Sequence, residues 1–270
     1  MTSRVWLTIP TFDEAGNVER IVRAAAAELE RLLPGEYRVL VVDDCSPDGT
    51  GEIAERLAAE LGVVEVLHRK GKDGLGQAYR AGFARAVAGG AELVLVMDAD
   101  FSHDPAHLPS LIEAAEDADL VLGSRYVPGG RIVDWPPLRR LLSRWGGIYA
   151  RRVLGVGVRD LTGGYRCIRR EVLETINAST LRSQGYVFNI EFAYRALLAG
   201  FRVREVPITF ADRRVGQSKM AFRIALEALW LLPRLPERAR RLGPRVGAAR
   251  PVGGERAART PARSASTEST

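Results

Sequence analysis

Apolar residues in the first half of the chain follow two alternating patterns, one typical of strands and one typical of helices. Short apolar runs, rich in β-branched residues, are each followed by a stretch in which apolar residues recur every three or four positions. The predicted strands are 5–9, 37–42, 63–67, 93–97 and 119–123, and the predicted helices are 14–33, 50–61, 77–87 and 105–115. Repeated strand–helix units favour parallel strands covered on both faces, so the pattern predicts an α/β fold: a Rossmann-like, mostly parallel sheet flanked by helices.

The second half is less regular. It predicts helices over 138–153, 188–198 and 219–232 and a strand over 202–210. No internal repeat or linker interrupts the chain before residue 234, so we expect a single domain over residues 1–233. Residues 234–270 are rich in Arg, Ala, Gly, Pro, Ser and Thr and contain few large apolar residues, a composition that predicts a disordered tail.

The formal net charge of +6 belongs to that tail, which holds nine Arg and three Glu, so that residues 1–233 are neutral overall. The tail arginines suit anionic lipid headgroups, or the tail is a solvated extension with no partner. Nucleic acid is a poorer partner, because no aromatic residues are interleaved with the arginines. Cys45 and Cys167 form no CxxC pair, which favours a reducing compartment. Because we see neither a signal peptide nor an apolar run of about 18 residues, we expect a cytoplasmic protein that does not cross a membrane.

The first candidate functional motif is Asp98-Ala99-Asp100, which follows the apolar run 93–97. Side chains alternate along a strand, so carboxylates two residues apart can face the same way. At the carboxyl end of a parallel strand, such a pair can hold a divalent cation on a nucleotide diphosphate. The alternative is a polar strand end with an Asp capping the next helix, since short acidic triplets are common.

Three polar clusters, at 10–14, 43–50 and 98–100, follow predicted strands. Parallel strands end side by side, so these clusters are expected to converge on one ligand. Carboxylates suit ribose hydroxyls, a base edge and a cation, but they repel a bare diphosphate, so a metal would be needed. Dinucleotide and ATPase sites are disfavoured, because Tyr79 stands where GxGxxG from Gly74 would need its last glycine, and no P-loop sequence is present.

Seven motifs in order carry a family resemblance. They are IPTFDE (9–14), VDDCSPDGT (42–50), GLGQAY (74–79), MDADFSH (97–103), GSRY (123–126), DLTGGYRC (160–167) and GQSK (216–219). The chain resembles family 2, GT-A-type glycosyltransferases, and among them polyprenol (dolichol) monophosphate mannosyltransferases. Together the motifs cover roughly residues 5–225.

The resemblance implies a nucleotide-sugar site with bound Mg²⁺ or Mn²⁺. The residues it places around the nucleoside are Pro10, Phe12, Glu14, Val42 and Asp44. It places Asp98, Ala99 and Asp100 along the ribose and diphosphate, with Asp100 as the main metal ligand and Asp98 adjacent. Ser102 stands where relatives often have Gln as a further metal ligand, and Phe12 stands where Tyr is common.

Cationic positions complete the implied site. Arg125, Arg213 and Lys219 match residues near the phosphates of the sugar nucleotide or the acceptor, and Asp100, Arg125 and Lys219 are the catalytic candidates. Arg140 is a second candidate, beside Arg125, for the acceptor phosphate; its alternative role is a solvated surface charge. Cys45 and the three histidines, His68, His103 and His107, are expected to be structural.

The implied activity is transfer of mannose from GDP-mannose to a polyprenyl monophosphate, with inversion. The lipid acceptor implies peripheral contact with the cytoplasmic face of a membrane, with or without a separate membrane-protein partner. The helices predicted at 138–153 and 222–232, with Trp145 and Trp230, either lie at that interface or pack on the core. The alternatives are transfer of glucose or another sugar from a UDP-sugar, a non-catalytic scaffold, and a sugar nucleotidyltransferase, which would need a glycine-rich first turn that this chain lacks.

Overall fold

Strand–helix alternation runs through the first half of the fold, as the apolar pattern predicts. The computed structural model describes residues 4–181, 183, 185–212 and 232–236. The strands in this part of the chain are β1 (Val5–Thr11), β2 (Tyr37–Asp43), β3 (Val64–His68), β4 (Leu93–Val96), β5 (Leu120–Ser124), β6 (Arg131–Val133), β7 (Arg166–Arg169), β8 (Val203–Pro207) and β9 (Thr209–Ala211). The α-helices are α1 (Val18–Leu32), α2 (Thr50–Leu61), α3 (Leu75–Ala88), α4 (Leu108–Ala114), α5 (Pro137–Leu154), α6 (Arg170–Thr175) and α7 (Gly185–Leu198).

Seven strands form one sheet in the order β3-β2-β1-β4-β7-β5-β8. All neighbouring pairs are parallel except those of β7, which is antiparallel to both β4 and β5. The predicted mostly parallel sheet is therefore confirmed. β6 and β9 form a separate parallel pair.

The sheet is the middle of three layers. Successive side chains of β1 point to opposite faces: Trp6 packs in the cluster formed with α3, α5 and α7, and Leu7 packs in the cluster formed with α1, α2 and α4. Because both faces are covered, the strands are almost wholly apolar rather than alternating with polar residues.

Four features of the second half differ from the sequence prediction, and two of them are the short elements β6 and α6, which were not predicted. The strand predicted over 202–210 is divided at Ile208 into β8, in the main sheet, and β9, in the small sheet, because the backbone of Ile208 bonds to both Ser124 and Arg131. β7 was not predicted, since its four residues have Arg at both ends and too short an apolar run to distinguish a strand from a loop.

The chain after residue 212 is described only at 232–236. Arg213, Lys219 and nearly all of the helix predicted from 219 lie outside the described residues, as does the tail from residue 237. Leu232 and Leu235 are buried in the same core cluster as α5. None of the helices in the described ranges combines the length and the apolar character that a membrane-spanning segment requires.

Gly82 of α3 provides a test of the packing between α3 and β1. A Cβ at this position would lie 2.4 Å from Cγ2 of Thr8. We expect Gly82→Ala to destabilise the protein by roughly 1–3 kcal/mol through overpacking, although Ala is the better helix former. The control is Gly146→Ala in α5, where no heavy atom lies within 4 Å and about 0.5–1 kcal/mol of stabilisation is expected. Chemical denaturation measures both, and a Gly82→Ala protein as stable as the wild type would contradict the packing.

Candidate active site

The three polar clusters lie at neighbouring strand ends. β1 lies between β2 and β4 in the seven-stranded sheet. Thr11 at the end of β1 pairs with Asp43 at the end of β2, and the amide of Met97 donates to the carbonyl of Thr8 across the β1–β4 pair. The predicted convergence of these clusters at one edge of the sheet is therefore observed.

Asp98 is half-buried and held through its backbone and its side chain. Its amide donates to Nδ1 of His103 at 3.0 Å, and its Oδ1 lies 3.5 Å from the hydroxyl of Tyr79. Gly164 packs against this group: a Cβ there would lie 3.1 Å from the Tyr79 hydroxyl and 3.6 Å from Oδ1 of Asp98. A glycine at 164 therefore allows the chain before β7 to approach the carboxylate closely.

Asp100 is buried in a tight turn. The backbone amide of Ser102 donates to its Oδ1 at 3.0 Å, and Phe101 between them has a φ of 61°. Left-handed backbone is uncommon for a residue other than glycine and concentrates at functional turns. The turn fixes Asp100 rather than leaving it on a flexible loop.

The donors at this edge fit a divalent cation in their chemistry. The carboxylates of Asp98 and Asp100 are hard oxygen ligands, and the buried Oγ of Ser102 has no hydrogen-bond partner among the described residues. The described part of the chain contains no group of three or more His, Cys, Asp or Glu side chains arranged for a metal. A pair of carboxylates nevertheless suits Mg²⁺ or Mn²⁺ when substrate phosphates supply other ligands.

His103 is a buried side chain that contacts the acidic pair through the Asp98 amide. It stacks on Tyr165 with ring centroids 4.8 Å apart, and meets Phe210 edge-on. Burial lowers the pKa of His103, and the carboxylates of Asp98 and Asp100 oppose this only in part. The imidazole is therefore neutral, which matches Nδ1 accepting the Asp98 amide. The expected structural role of His103 is thus combined with direct contact to the acidic motif.

His103→Leu is expected to lower kcat/KM for sugar transfer by about 10- to 100-fold, because the Asp98 amide loses its acceptor and the motif is less well oriented. His103→Asn, whose side-chain oxygen can accept the same hydrogen bond, should recover part of the loss. His107→Leu is the matched control, since His107 also accepts a backbone amide at 3.0 Å, from Thr209, without contacting the acidic pair. Equal losses in both Leu variants would contradict the specific role of His103.

The predicted nucleoside residues surround the β1 and β2 ends. The amide of Glu14 donates to the hydroxyl of Thr50 at 2.9 Å, and Lys72 lies 3.5 Å from the ring centroid of Phe12. Pro10 is partly exposed at the end of β1. The Val42 side chain, in contrast, is fully buried in the core against α3, so only the backbone of Val42 can face a nucleoside.

Asp44 is buried and paired with Arg69, a residue that the sequence analysis did not assign to the site. Burial raises the pKa of Asp44, and the guanidinium of Arg69 acts against that shift. Arg69 follows β3 directly and its amide bonds to the carbonyl of Asp43, which explains how a residue 25 positions away reaches the carboxylate. A single Arg after an edge strand has no sequence pattern from which a role in the site could be predicted.

Arg125 is buried at the end of β5 and bound to the loop before β7. Its Nε and one terminal nitrogen donate to the two carboxylate oxygens of Asp160, both at 2.7 Å, and the same terminal nitrogen donates to Thr162. Its charge is thus neutralised within the protein. This arrangement lets Arg125 hold the 160–164 loop beside Asp98, and its contact with a phosphate stays a prediction.

Arg166 is a second buried arginine of this loop that the sequence analysis did not assign. It donates to the carbonyls of Gly163 and Asn189, and burial lowers its pKa to about 10. The guanidinium therefore holds the glycine pair next to Asp98 through backbone oxygens. One sequence pattern pointed to Arg166. It is the polar, glycine-rich run Asp-Leu-Thr-Gly-Gly-Tyr-Arg before a short strand.

The other predicted cations are placed unevenly. Arg140 is exposed on α5, whereas its neighbour Arg139 is the one that turns inward, stacking on Trp135 and pairing with Asp212 at 2.8 Å. Arg213 and Lys219 lie outside the described residues. His68 pairs with Glu55, and Cys45 occupies a left-handed turn position, in keeping with their expected structural roles.

Comparison with known proteins decides the family. The model of the family described as glycosyl transferase family 2 matches residues 6–176. The chain belongs to that family. An undecaprenyl-phosphate mannosyltransferase of Micrococcus luteus is 46% identical over 226 residues, which is 84% of this chain and 91% of the relative. A polyprenol monophosphomannose synthase of Mycolicibacterium smegmatis is 46% identical over 231 residues, 85% of each chain.

Solved structures of low sequence identity share the fold of this glycosyltransferase. A mannosyltransferase from Pyrobaculum calidifontis, in complex with GDP-Man and Mn²⁺, superposes with a TM-score of 0.57 at 17% identity, covering 85% of this chain and 69% of that one. A glucosyl-3-phosphoglycerate synthase from Mycobacterium tuberculosis, in complex with Mn²⁺, UDP and glucosyl-3-phosphoglycerate, superposes with a TM-score of 0.56 at 19% identity, covering 85% of this chain and 76% of that one. The predicted GT-A-type architecture is thereby confirmed.

Proposed function

We propose that this glycosyltransferase moves mannose from GDP-mannose to a polyprenyl monophosphate, giving polyprenyl phosphate β-mannose. The main support is the pair Asp98 and Asp100, which follows β4 beside β1 and β2. His103 and the Ser102 amide hold the pair in place through hydrogen bonds. The two bacterial relatives at 46% identity, whose names specify polyprenyl-phosphate mannosyl transfer, support the choice of sugar and acceptor.

The reaction is a direct displacement. A phosphate oxygen of the acceptor forms a bond to the anomeric carbon, and the bond from that carbon to the donor's phosphate oxygen breaks, its electron pair leaving on the nucleoside diphosphate. Attack from the opposite side inverts an α-linked donor to a β-linked product. The second phosphate pKa is about 6, so the acceptor is already an anion near neutral pH and no general base is needed.

The residues of this chain position and neutralise the reactants. Asp98 and Asp100 are the candidate ligands of Mg²⁺ or Mn²⁺, with Ser102 as a weaker third donor, and a bound cation would offset the charge of the leaving diphosphate. Phe12, Glu14 and Asp44 face the nucleoside. Arg213 and Lys219 stay proposed phosphate ligands, and Arg125 acts through the loop it holds.

Calorimetry with GDP and UDP, each with and without Mg²⁺ or Mn²⁺, tests the donor. We expect GDP to bind at least about tenfold more tightly than UDP, a difference of about 1.4 kcal/mol, and to require the cation because Asp98 and Asp100 repel a bare diphosphate. Mass spectrometry of the lipid product, with proton NMR of its anomeric centre, tests transfer and inversion. Preferential UDP binding would instead favour the alternative donor, a UDP-sugar.

The acceptor places the reaction at a membrane surface. We propose peripheral association with the cytoplasmic leaflet. The exposed apolar residues of α5, including Leu138 and Trp145, support this arrangement. Sedimentation with anionic vesicles at low salt measures it, and full-length protein that stays entirely in the supernatant would contradict it.

A further inference from the structure

A cavity of about 470 Å³ lies between α5 and the turn that follows β5. Its wall includes Arg144 and Arg151 of α5 and Arg159 of the loop after α5, together with Tyr126 and Ile148. The acidic strand-end pair contributes nothing to this wall. Among the described residues of the proposed active site, Arg125 is the one that also borders the cavity.

Carboxylates of the described residues pair with only part of the positive charge of this cavity. The guanidinium of Arg125 is paired with Asp160, but within the described part of the chain none of Arg144, Arg151 and Arg159 forms an ion pair with a carboxylate. Arg144 and Arg159 are exposed and Arg151 is partly buried, so water screens part of their mutual repulsion, and an anion bound between them would offset more of it. Arginine's planar fork of donors matches the oxygens of a phosphate.

An apolar row runs beside the cavity along α5. Leu138, Leu141, Leu142 and Trp145 are spaced as one helix face and are all exposed, Leu138 at 67% and Trp145 at 60%. Arg144 lies three residues after Leu141, and so the basic row and the apolar row are adjacent on the helix surface. A phosphate in the cavity would therefore have apolar surface next to it on which a hydrocarbon chain can lie.

We propose that this cavity, formed by Arg144, Arg151 and Arg159, binds the phosphate headgroup of an anionic membrane lipid while the adjacent apolar row of α5 enters the boundary between headgroups and acyl chains. The site is distinct from the sugar-donor site and from the site of the lipid phosphate that accepts the sugar. It orients the enzyme on the bilayer, and it does so whether or not mannose is the sugar transferred.

A charge-matched pair of variants tests the proposal with the full chain. Arg144→Gln/Arg151→Gln removes two cavity charges, and Arg140→Gln/Arg152→Gln removes two charges from the same helix outside the cavity wall. Binding is measured by flotation with phosphatidylcholine vesicles containing or lacking phosphatidylglycerol. We expect the cavity variant to bind the anionic vesicles at least about tenfold more weakly than the control variant. Both variants lose two positive charges from the same helix, so the general attraction of basic residues to the membrane is reduced in both.

Two further readouts separate this site from the proposed reaction. GDP binding and transfer to a short, water-soluble polyprenyl phosphate should be unchanged in the cavity variant, which also shows that it folds. A tenfold loss of transfer to the soluble acceptor would make the cavity the acceptor's own site and overturn the proposal. Failure of mannosyl transfer in the wild type would leave the vesicle result intact.

Other outcomes would also overturn it. Equal weakening in both double variants would show general electrostatic attraction rather than a built site. Glycerol 1-phosphate that binds the wild type and displaces no vesicles would assign the cavity to a soluble phosphate. A dimer in sedimentation equilibrium that dissociates in Trp145→Ser, with vesicle binding unaffected, would assign the apolar row to a second copy of the chain.

Discussion

Asp100→Asn is expected to lower kcat/KM for sugar transfer by on the order of 10³-fold, the scale associated with loss of one preorganised electrostatic contact to the reacting charge. Asn keeps an oxygen to accept the Ser102 amide, so the turn is retained while the negative charge is lost. The repulsion that a cation must offset, and the strongest ligand for that cation, disappear together. Initial rates at varied donor and cation concentrations measure the change.

The matched control is Asp104→Asn, four residues further along. Asp104 is exposed and caps a short 3₁₀ turn by accepting the Ala106 amide at 2.9 Å. Asn is an equally good cap, so activity should stay within about twofold of the wild type. Undiminished transfer by the Asp100 variant would remove the basis of the proposed site, whatever the control shows.

Asp160→Ala is expected to destabilise the fold by about 3–5 kcal/mol, the range for breaking a buried ion pair from one side. Arg125 would then be buried with its charge uncompensated, between Trp135 and Phe210. Denaturant titration measures the loss. Glu174→Ala is the control, because it breaks an exposed pair with Arg170 and should leave the midpoint nearly unchanged.

The double variant Arg125→Met/Asp160→Leu separates charge from shape. Because both charges are removed together, it should be more stable than Asp160→Ala alone. If the single and double variants are equally unstable, packing rather than the unpaired guanidinium is responsible. Activity of the double variant then reports on positioning: a folded protein with slow transfer would show that the 160–164 loop must be held beside Asp98.

The pH dependence of stability follows from the same pair. Burial acts to raise the pKa of Asp160, but the charge and hydrogen bonds of Arg125 outweigh it, so the folded-state pKa is lowered. The contribution is therefore fully present above the unfolded value of about 3.9 and is lost as pH falls through the folded pKa. The wild type should lose its advantage over Asp160→Ala in acid, and a constant difference down to low pH would contradict the assignment.

The first half of the fold was predictable because its strands and helices are indicated by residues close together in the sequence. Apolar runs such as 37–42 are bounded by turn residues, and regular strand–helix repeats with short connections favour parallel neighbours. The antiparallel insertion of β7 between β4 and β5 was not predictable in this way. It depends on pairing partners about 45 to 75 residues distant in the chain, a range over which local periodicity carries no information.

The residues of the candidate site likewise include some that local sequence predicts and others that only the fold brings together. Asp98, Asp100 and Asp44 were found because acidic residues directly after apolar strands must lie at the sheet edge. Arg69, His103 and Arg166 were not assigned to the site, since their roles depend on which carboxylate or carbonyl the folded chain brings to them. The burial of the Val42 side chain and the pairing of Arg125 with Asp160 likewise could not be predicted from local sequence.

By itself the amino-acid order determined the layered α/β architecture and the acidic strand ends, since both follow from side-chain period and from strands that end in register. Only the tertiary structure decided which cations are neutralised and which are available. Charge balance depends on neighbours in space. Arg125 is buried against Asp160, whereas Arg144 lines the basic cavity and forms no ion pair within the described part of the chain. Both are arginines, and their sequence positions do not show this difference.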